Sequence, residues 1–187
     1  ADPLRFTLSA MAAQGRDIKL SKDRISGYRN FSTKIINACR FLEINNCLNN
    51  IEFDETKIKL PVNIWILNLS NSLNKKIKKS IIEYRFNDYA DLIYHFVWRD
   101  YCDWYIELMK AIFSCKDDES KLETRYVASL VMKQILKFLH PLMPFITEEC
   151  NESFFKLKTH LIISEWPKDI EIKKTENSIF LLIKIIS

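Results

Sequence analysis

Two glycines, Gly15 and Gly27, serve this whole chain of 187 residues. That scarcity excludes more than any motif includes. Tight β-turns need glycine for positive backbone angles, and phosphate-cradling loops need it so that amide groups can come close to the ligand. Neither a G-x-G-x-x-G fingerprint nor a P-loop can be written with Gly15 and Gly27 alone. Five prolines beside so few glycines point to long helices rather than many turns. The expected fold is all-α. The length suits one domain with a real core.

The sharpest break in the helical pattern falls at His140–Glu149, HPLMPFITEE. Pro141 and Pro144 each lack an amide donor and clash with a preceding helical turn, so a corner between two helices is expected there. Leu142, Met143, Phe145 and Ile146 would fill it. Thr147, Glu148 and Glu149 would start the next helix, where the dipole favours negative charge. Any helical bundle could use such a corner.

Upstream, Ala1–Ala13 reads as a helix, and residues 14–20 as a polar connection. Ser21 can cap a helix running to about Asn45. At 100° per residue, Ile25, Tyr28, Phe31, Ile35, Ile36, Ala38, Cys39 and Leu42 fall on one side of it, with Ser32 the intruder. Ser26, Arg29, Asn30, Thr33, Lys34, Asn37 and Arg40 gather on the other, over an arc of roughly 140°. Phe41 is out of place on the polar side. An ordinary solvated face explains such an arc. Its content also fits RNA: three cations, two amides and two hydroxyls, with no carboxylate.

Residues 46–59 read as a loop. Pro61 opens a helix to about Glu83, which carries Lys75, Lys76, Lys78 and Lys79 around Ile77. Asn87 or Asp88 is expected to cap the longest helix, to about Phe113. Its aromatics Trp98, Tyr101, Trp104 and Tyr105 cannot share one face, so core packing is expected for most; one exposed ring could stack on a base. Asp100, Asp103 and Glu107 lack a convergent partner set, and pairing with Arg99 or Lys110 is the simpler expectation. A charged loop at 114–120 precedes a helix from about Leu122 to Leu139, and another helix spans Phe145–Leu157. LIISEWP, Leu161–Pro167, reads as extended, and residues 170–187 as a further element.

The net charge of +4 is compatible with a nucleic-acid partner without requiring one. Cys39, Cys47, Cys102, Cys115 and Cys150 form no C-x-x-C pair, and with His95, His140 and His160 make no zinc spacing, so reduced thiols and no metal are expected. No nucleophile–base pair can be assembled, so no catalytic residue is assigned. No apolar run approaches the roughly 20 residues of a membrane span.

Several stretches together resemble one family. Leu4–Leu8, QGRDIKLS at 14–21, GYRNF at 27–31, NACRF at 37–41, FVWRDYCDWYIE at 96–107 and HPLMPFITEE are similar to the anticodon-binding helical bundle of class I aminoacyl-tRNA synthetases. The closest likeness is to the branch that charges valine; the isoleucine and leucine branches share a looser pattern. The likeness covers nearly the whole chain. It departs at Cys150 and Asn151, where the family usually has Leu-Trp. Lys19–Lys22 only superficially imitates the family's catalytic lysine loop.

The resemblance implies a division into residues 1–20, a connection from a catalytic domain; 21–158, the anticodon-binding bundle; and 159–187, the approach to a C-terminal coiled-coil arm. It implies valine-specific tRNA and the enzyme's own catalytic domain as partners, in a cytoplasmic monomer. ATP and magnesium would serve the full-length ligase; this portion would need no cofactor. Carried over by position, Arg29 and Asn30 face the anticodon, with Thr33, Lys34, Asn37 and Arg40 on the same arc. Trp104 lies near the same end, either stacking or buried. A protein-interaction scaffold without RNA is the reading from another class.

Overall fold

The structure is a computed structural model that describes residues 1–12, 20–49, 51–156 and 159–172. The expected 14–20 connection and the element over 170–187 lie wholly or mostly outside the described residues. Among these residues there are seven α-helices and no strand: α1 Asp2–Met11, α2 Lys22–Ile44, α3 Pro61–Ile82, α4 Phe86–His95, α5 Ile106–Ser114, α6 Asp118–Leu139 and α7 Pro144–Ser153. The all-α expectation holds. Phe96–Tyr105, between α4 and α5, winds as a π-helix, so α4, this π segment and α5 form one continuous rod.

The helix ends show how the chain manages with so few glycines. α2 stops at Asn45, and Asn46 takes the left-handed conformation at φ 57°. Cys47 N–H then reaches Leu42 O at 2.8 Å and Asn46 N–H reaches Glu43 O at 3.0 Å. This is the hydrogen-bond pattern usually closed with glycine. α3 ends likewise, with Tyr84 at φ 57° and Arg85 N–H on Ser80 O at 2.8 Å. Asparagine tolerates that conformation; for tyrosine it is strained.

Two helix starts are capped from a distance. α3 and α7 both open on proline, after Leu60 and Met143, which have no capping side chain. Glu123 of α6 supplies the acceptors for α3: it takes Leu60 N–H at 2.9 Å, Lys59 N–H at 3.2 Å and the Asn63 amide at 2.9 Å. Asp2 of α1 does the same for α7, accepting Ile146 N–H at 2.6 Å and Phe145 N–H at 3.3 Å. Both carboxylates are buried. The acid at the proline corner is thus Asp2, not one of the local glutamates. Glu148 turns instead toward Leu161 N–H at 3.0 Å. Leu142 and Met143 fill the corner as expected; Phe145 does not, at 65% exposed.

Other boundaries also differ from expectation. The rod starts at Phe86 after Arg85, with neither Asn87 nor Asp88 as cap; Asp88 pairs with Arg85 at 2.5 Å. The 117–120 stretch is no loop: Asp117 accepts Glu119 N–H at 3.1 Å and Ser120 N–H at 3.3 Å, so α6 starts at Asp118. Leu161–Ile163 is a 3-10 turn rather than extended chain.

Asn71 and Asn74 of α3 hold the segment that follows the turn. Asn71 exchanges two hydrogen bonds with the Ile170 backbone, at 2.8 and 2.9 Å. Asn74 donates to Pro167 O at 3.0 Å and accepts Trp166 Nε1–H at 2.7 Å. Asn151, one of the two departures from the family pattern, is buried and donates to Thr159 O at 3.2 Å. Cys150 is buried beside it.

His140, in the corner, is half-buried with Nδ1 2.8 Å from Thr147 Oγ1. The Thr147 hydroxyl donates to Met143 O at 2.9 Å, so the imidazole Nδ1–H is assigned as donor to Thr147. Burial holds its pKa below the usual histidine value.

Two predictions follow from these contacts. Asp2→Ala and Glu123→Ala should each lower unfolding stability by about 1–3 kcal/mol, because each strands buried donors; urea denaturation measures this, and unchanged midpoints contradict the capping roles. A histidine whose folded pKa is depressed contributes stability that is present above its unfolded pKa and lost as pH falls through the folded value. Wild-type midpoints should therefore drop between pH 7.5 and pH 5 more steeply than those of His140→Gln.

Candidate nucleic-acid interface

α2 is fixed at both ends and along one side. Ser21 accepts Arg24 N–H at 3.3 Å at its start. Arg125 of α6 donates to Asn45 O at 2.9 Å at its finish, where a cation suits the helix dipole. Phe31, Ile35, Ala38, Cys39 and Leu42 are buried, as the periodicity predicts. An aromatic cluster of Phe6, Tyr28, Phe31, Tyr94 and Trp98 joins α1, α2 and the rod, with adjacent centroids 4.6 to 6.5 Å apart. The displaced Phe41 is half-buried against the core.

The polar arc faces outward. Ser26, Arg29, Asn30, Thr33, Asn37 and Arg40 are all exposed. The side chains of Arg29, Asn30, Asn37 and Arg40 take no hydrogen bond or ion pair from the described residues. Thr33 Oγ1 donates to Arg29 O at 3.2 Å.

Lys34 is placed differently. Its Nζ lies 2.5 Å from Asp103 Oδ1 and 4.0 Å from the centroid of the Trp98 ring. The lysine charge is therefore shared with a carboxylate and a π-face before any ligand arrives. Asp103, expected from sequence to pair with Arg99 or Lys110, instead stands beside the arc of α2, which itself carries no acid. Arg99–Asp100 and Lys110–Glu107 do pair as expected, at 2.8 and 2.6 Å. Trp104 is half-buried against the core, and Trp98 is the tryptophan that meets α2.

The winding of the rod explains this. In an α-helix five residues turn through roughly 140° beyond a full circle. With i→i+5 hydrogen bonds, positions five apart come nearly into register. Trp98 and Asp103 thereby share the side that faces Lys34. The sequence carried a trace of it: the buried pairs Phe96–Val97, Tyr101–Cys102 and Tyr105–Ile106 recur more widely than 3.6 residues. Tyr101 donates to Ala128 O at 2.9 Å and Tyr105 to Asn63 Oδ1 at 2.8 Å. Burial raises both phenols well above their usual pKa.

Other clusters are engaged structurally. Glu148, Glu152 and His160 bring ligand atoms within 4.8 Å of one another, but Glu148 already brackets the 3-10 turn. A cavity of about 530 Å³ lies between α6 and the 161–171 segment, lined by Leu130, Gln134 and Asp169, away from the arc. Burial pushes the thiols of Cys47 and Cys102 up to about 12. The interaction of the buried Cys39 and Cys150 thiols raises the pKa of the first and lowers that of the second. No helix among the described residues is long and apolar enough to cross a membrane.

Residues 63–187 match the family model described as the anticodon-binding domain of tRNA ligase. Among curated proteins, the chain is 50% identical over 167 residues to the valine–tRNA ligase of Bradyrhizobium diazoefficiens, covering 89% of this chain and 17% of that protein. It is 52% identical over 149 residues to that of Rhodopseudomonas palustris, 80% of this chain and 16% of the relative. With that of Zymomonas mobilis it shares 42% over 193 residues, 100% of this chain and 22% of the relative. The chain thus spans about a fifth of these relatives' length.

The burial pattern carries its own test. In the folded protein only Cys115, the exposed cysteine, should react quickly with a thiol-specific disulfide reagent, and all five should react in urea. A second fast thiol in the native state would contradict the packing of α2, α7 and the rod.

Proposed function

Because this chain belongs to the family of anticodon-binding domains of tRNA ligases, we propose that it holds the anticodon end of a tRNA on the outward arc of α2. The observation that supports this is the set of unpartnered groups at Arg29, Asn30, Asn37 and Arg40 on a helix locked by its other side. Arg29 and Arg40 can fork onto phosphates. Asn30 and Asn37 offer paired donor and acceptor groups to base edges, with Thr33 beside them. Lys34 contributes position more than free charge. Trp104, half-buried against the core, offers only its exposed edge.

The relatives' names extend the proposal. The longer protein would be a valine–tRNA ligase, joining valine to its tRNA with ATP and magnesium, in the cytoplasm and as a monomer. Gly27 lies inside α2, where an added Cβ would meet nothing within 4 Å, so it is no phosphate cradle. Residues 21–158 are read as the RNA-holding bundle. Residues 1–20 lead in from a catalytic domain, with α1 packed onto the bundle, and 159–187 lead toward a C-terminal arm.

A binding titration tests the core of this. The chain should bind a valine tRNA anticodon stem–loop, and Arg29→Ala should weaken it roughly tenfold. Affinity should also fall as salt rises from about 50 to 200 mM, since each phosphate contact releases counterions. Indifference to an exchanged anticodon, together with no effect of Arg29→Ala, would favour a protein-interaction scaffold instead.

A further inference from the structure

We infer that Asp103 is a base-reading group, whose carboxylate accepts a hydrogen bond from the exocyclic amino group of an unpaired base held against α2. The inference rests on the proposed RNA-binding role of that helix and deepens it. A surface meant for phosphates should avoid an exposed carboxylate, because the like charges repel. Yet the rod places one beside the arc, and does so through an uncommon winding.

The geometry resolves this. Lys34 Nζ grips one oxygen, Oδ1, at 2.5 Å and rests on the Trp98 ring at 4.0 Å. The carboxylate is thereby oriented by a cation that is itself held in place. The second oxygen, Oδ2, takes no hydrogen bond from the described residues. The Asp103 side chain is 48% exposed, against 24% for Lys34, so the acid rather than the lysine is offered to solvent. Around Lys34 on α2 stand Asn30, Thr33 and Asn37, all exposed.

An ionised carboxylate can only accept. Among base edges it discriminates for amino groups, as on cytosine N4 or adenine N6, and against carbonyl oxygens, as on uracil O4. Unpaired loop bases present those edges openly. Lys34 neutralises enough of the charge for a phosphate backbone to approach, while leaving the acceptor in place. Arg29 and Arg40 then supply affinity without choice, and Asp103 supplies choice.

The test compares the 187-residue chain with Asp103→Asn and Asp103→Glu. Each is titrated against anticodon stem–loops in which each loop base in turn exchanges an amino for a keto group, cytidine to uridine or adenosine to inosine. At one position the wild type should lose about tenfold on exchange, and Asp103→Asn should flatten that preference to within about twofold. Asp103→Glu, which keeps the acceptor, should retain the direction of preference. Denaturation midpoints confirm that each variant is folded. If Asp103→Asn keeps the full preference, or tightens every loop equally, the carboxylate acts only as a charge and the inference is overturned. Equal binding of amino and keto loops by the wild type overturns it too, while leaving the RNA-binding reading standing. Failure of the wild type to bind any loop removes both.

Discussion

Two buried carboxylates hold this bundle together by finishing helices to which they do not belong. A proline at the first helical position presets the backbone but brings no capping side chain. Leu60 and Met143, the residues before Pro61 and Pro144, bring none either. The amides of Lys59 and Leu60 leading into α3, and the first amides of α7, would therefore be left without acceptors, at a cost of about 1–3 kcal/mol each. Glu123 and Asp2 remove that cost from 60 or more residues away. Each bond is charge-assisted and lies at the positive end of a helix dipole. The consequence is topological: α3 cannot start correctly without α6, nor α7 without α1.

That dependence reaches the candidate site. Asp2 ties α1 to the proline corner, and Arg5 adds a bond to Pro141 O at 3.2 Å. α1 then presents Phe6 to Tyr28 and Phe31 on the apolar side of α2. Tyr94 and Trp98 close the cluster from the rod. The outward arc of α2 is thus positioned by contacts made entirely on its inward side. Its Arg29, Asn30, Asn37 and Arg40 side chains are left with no structural duty among the described residues.

Local chemistry was legible in the sequence, and long-range chemistry was not. Ser21 as cap, Pro61 as helix start and the sidedness of α2 each depend on residues a few positions apart, and each was read correctly. So were the pairs Arg99–Asp100 and Lys110–Glu107, which lie within one turn. The distant caps were missed because nothing near Pro61 names Glu123, and nothing near Pro144 names Asp2. The 117–120 stretch was misread because its charges looked like solvation, when Asp117 was binding the first amides of α6. The Lys34–Asp103 pair was hidden by the helical template itself. At 3.6 residues per turn Trp98 and Asp103 point apart, and only the wider winding brings them to one lysine.

This pairing also bears on what kind of binding the arc can support. The sequence offers three cations there, Arg29, Lys34 and Arg40, but Asp103 already answers one of them. Two guanidinium groups remain to meet phosphates, a modest electrostatic contribution that salt would largely screen. A face built for tight, sequence-blind RNA binding would keep every cation free and carry more of them. On the proposed reading, a face that gives up a lysine charge to fix an acceptor, beside two amides, sacrifices affinity for discrimination. That balance suits a site that reads a loop while most of the grip on the RNA is supplied elsewhere.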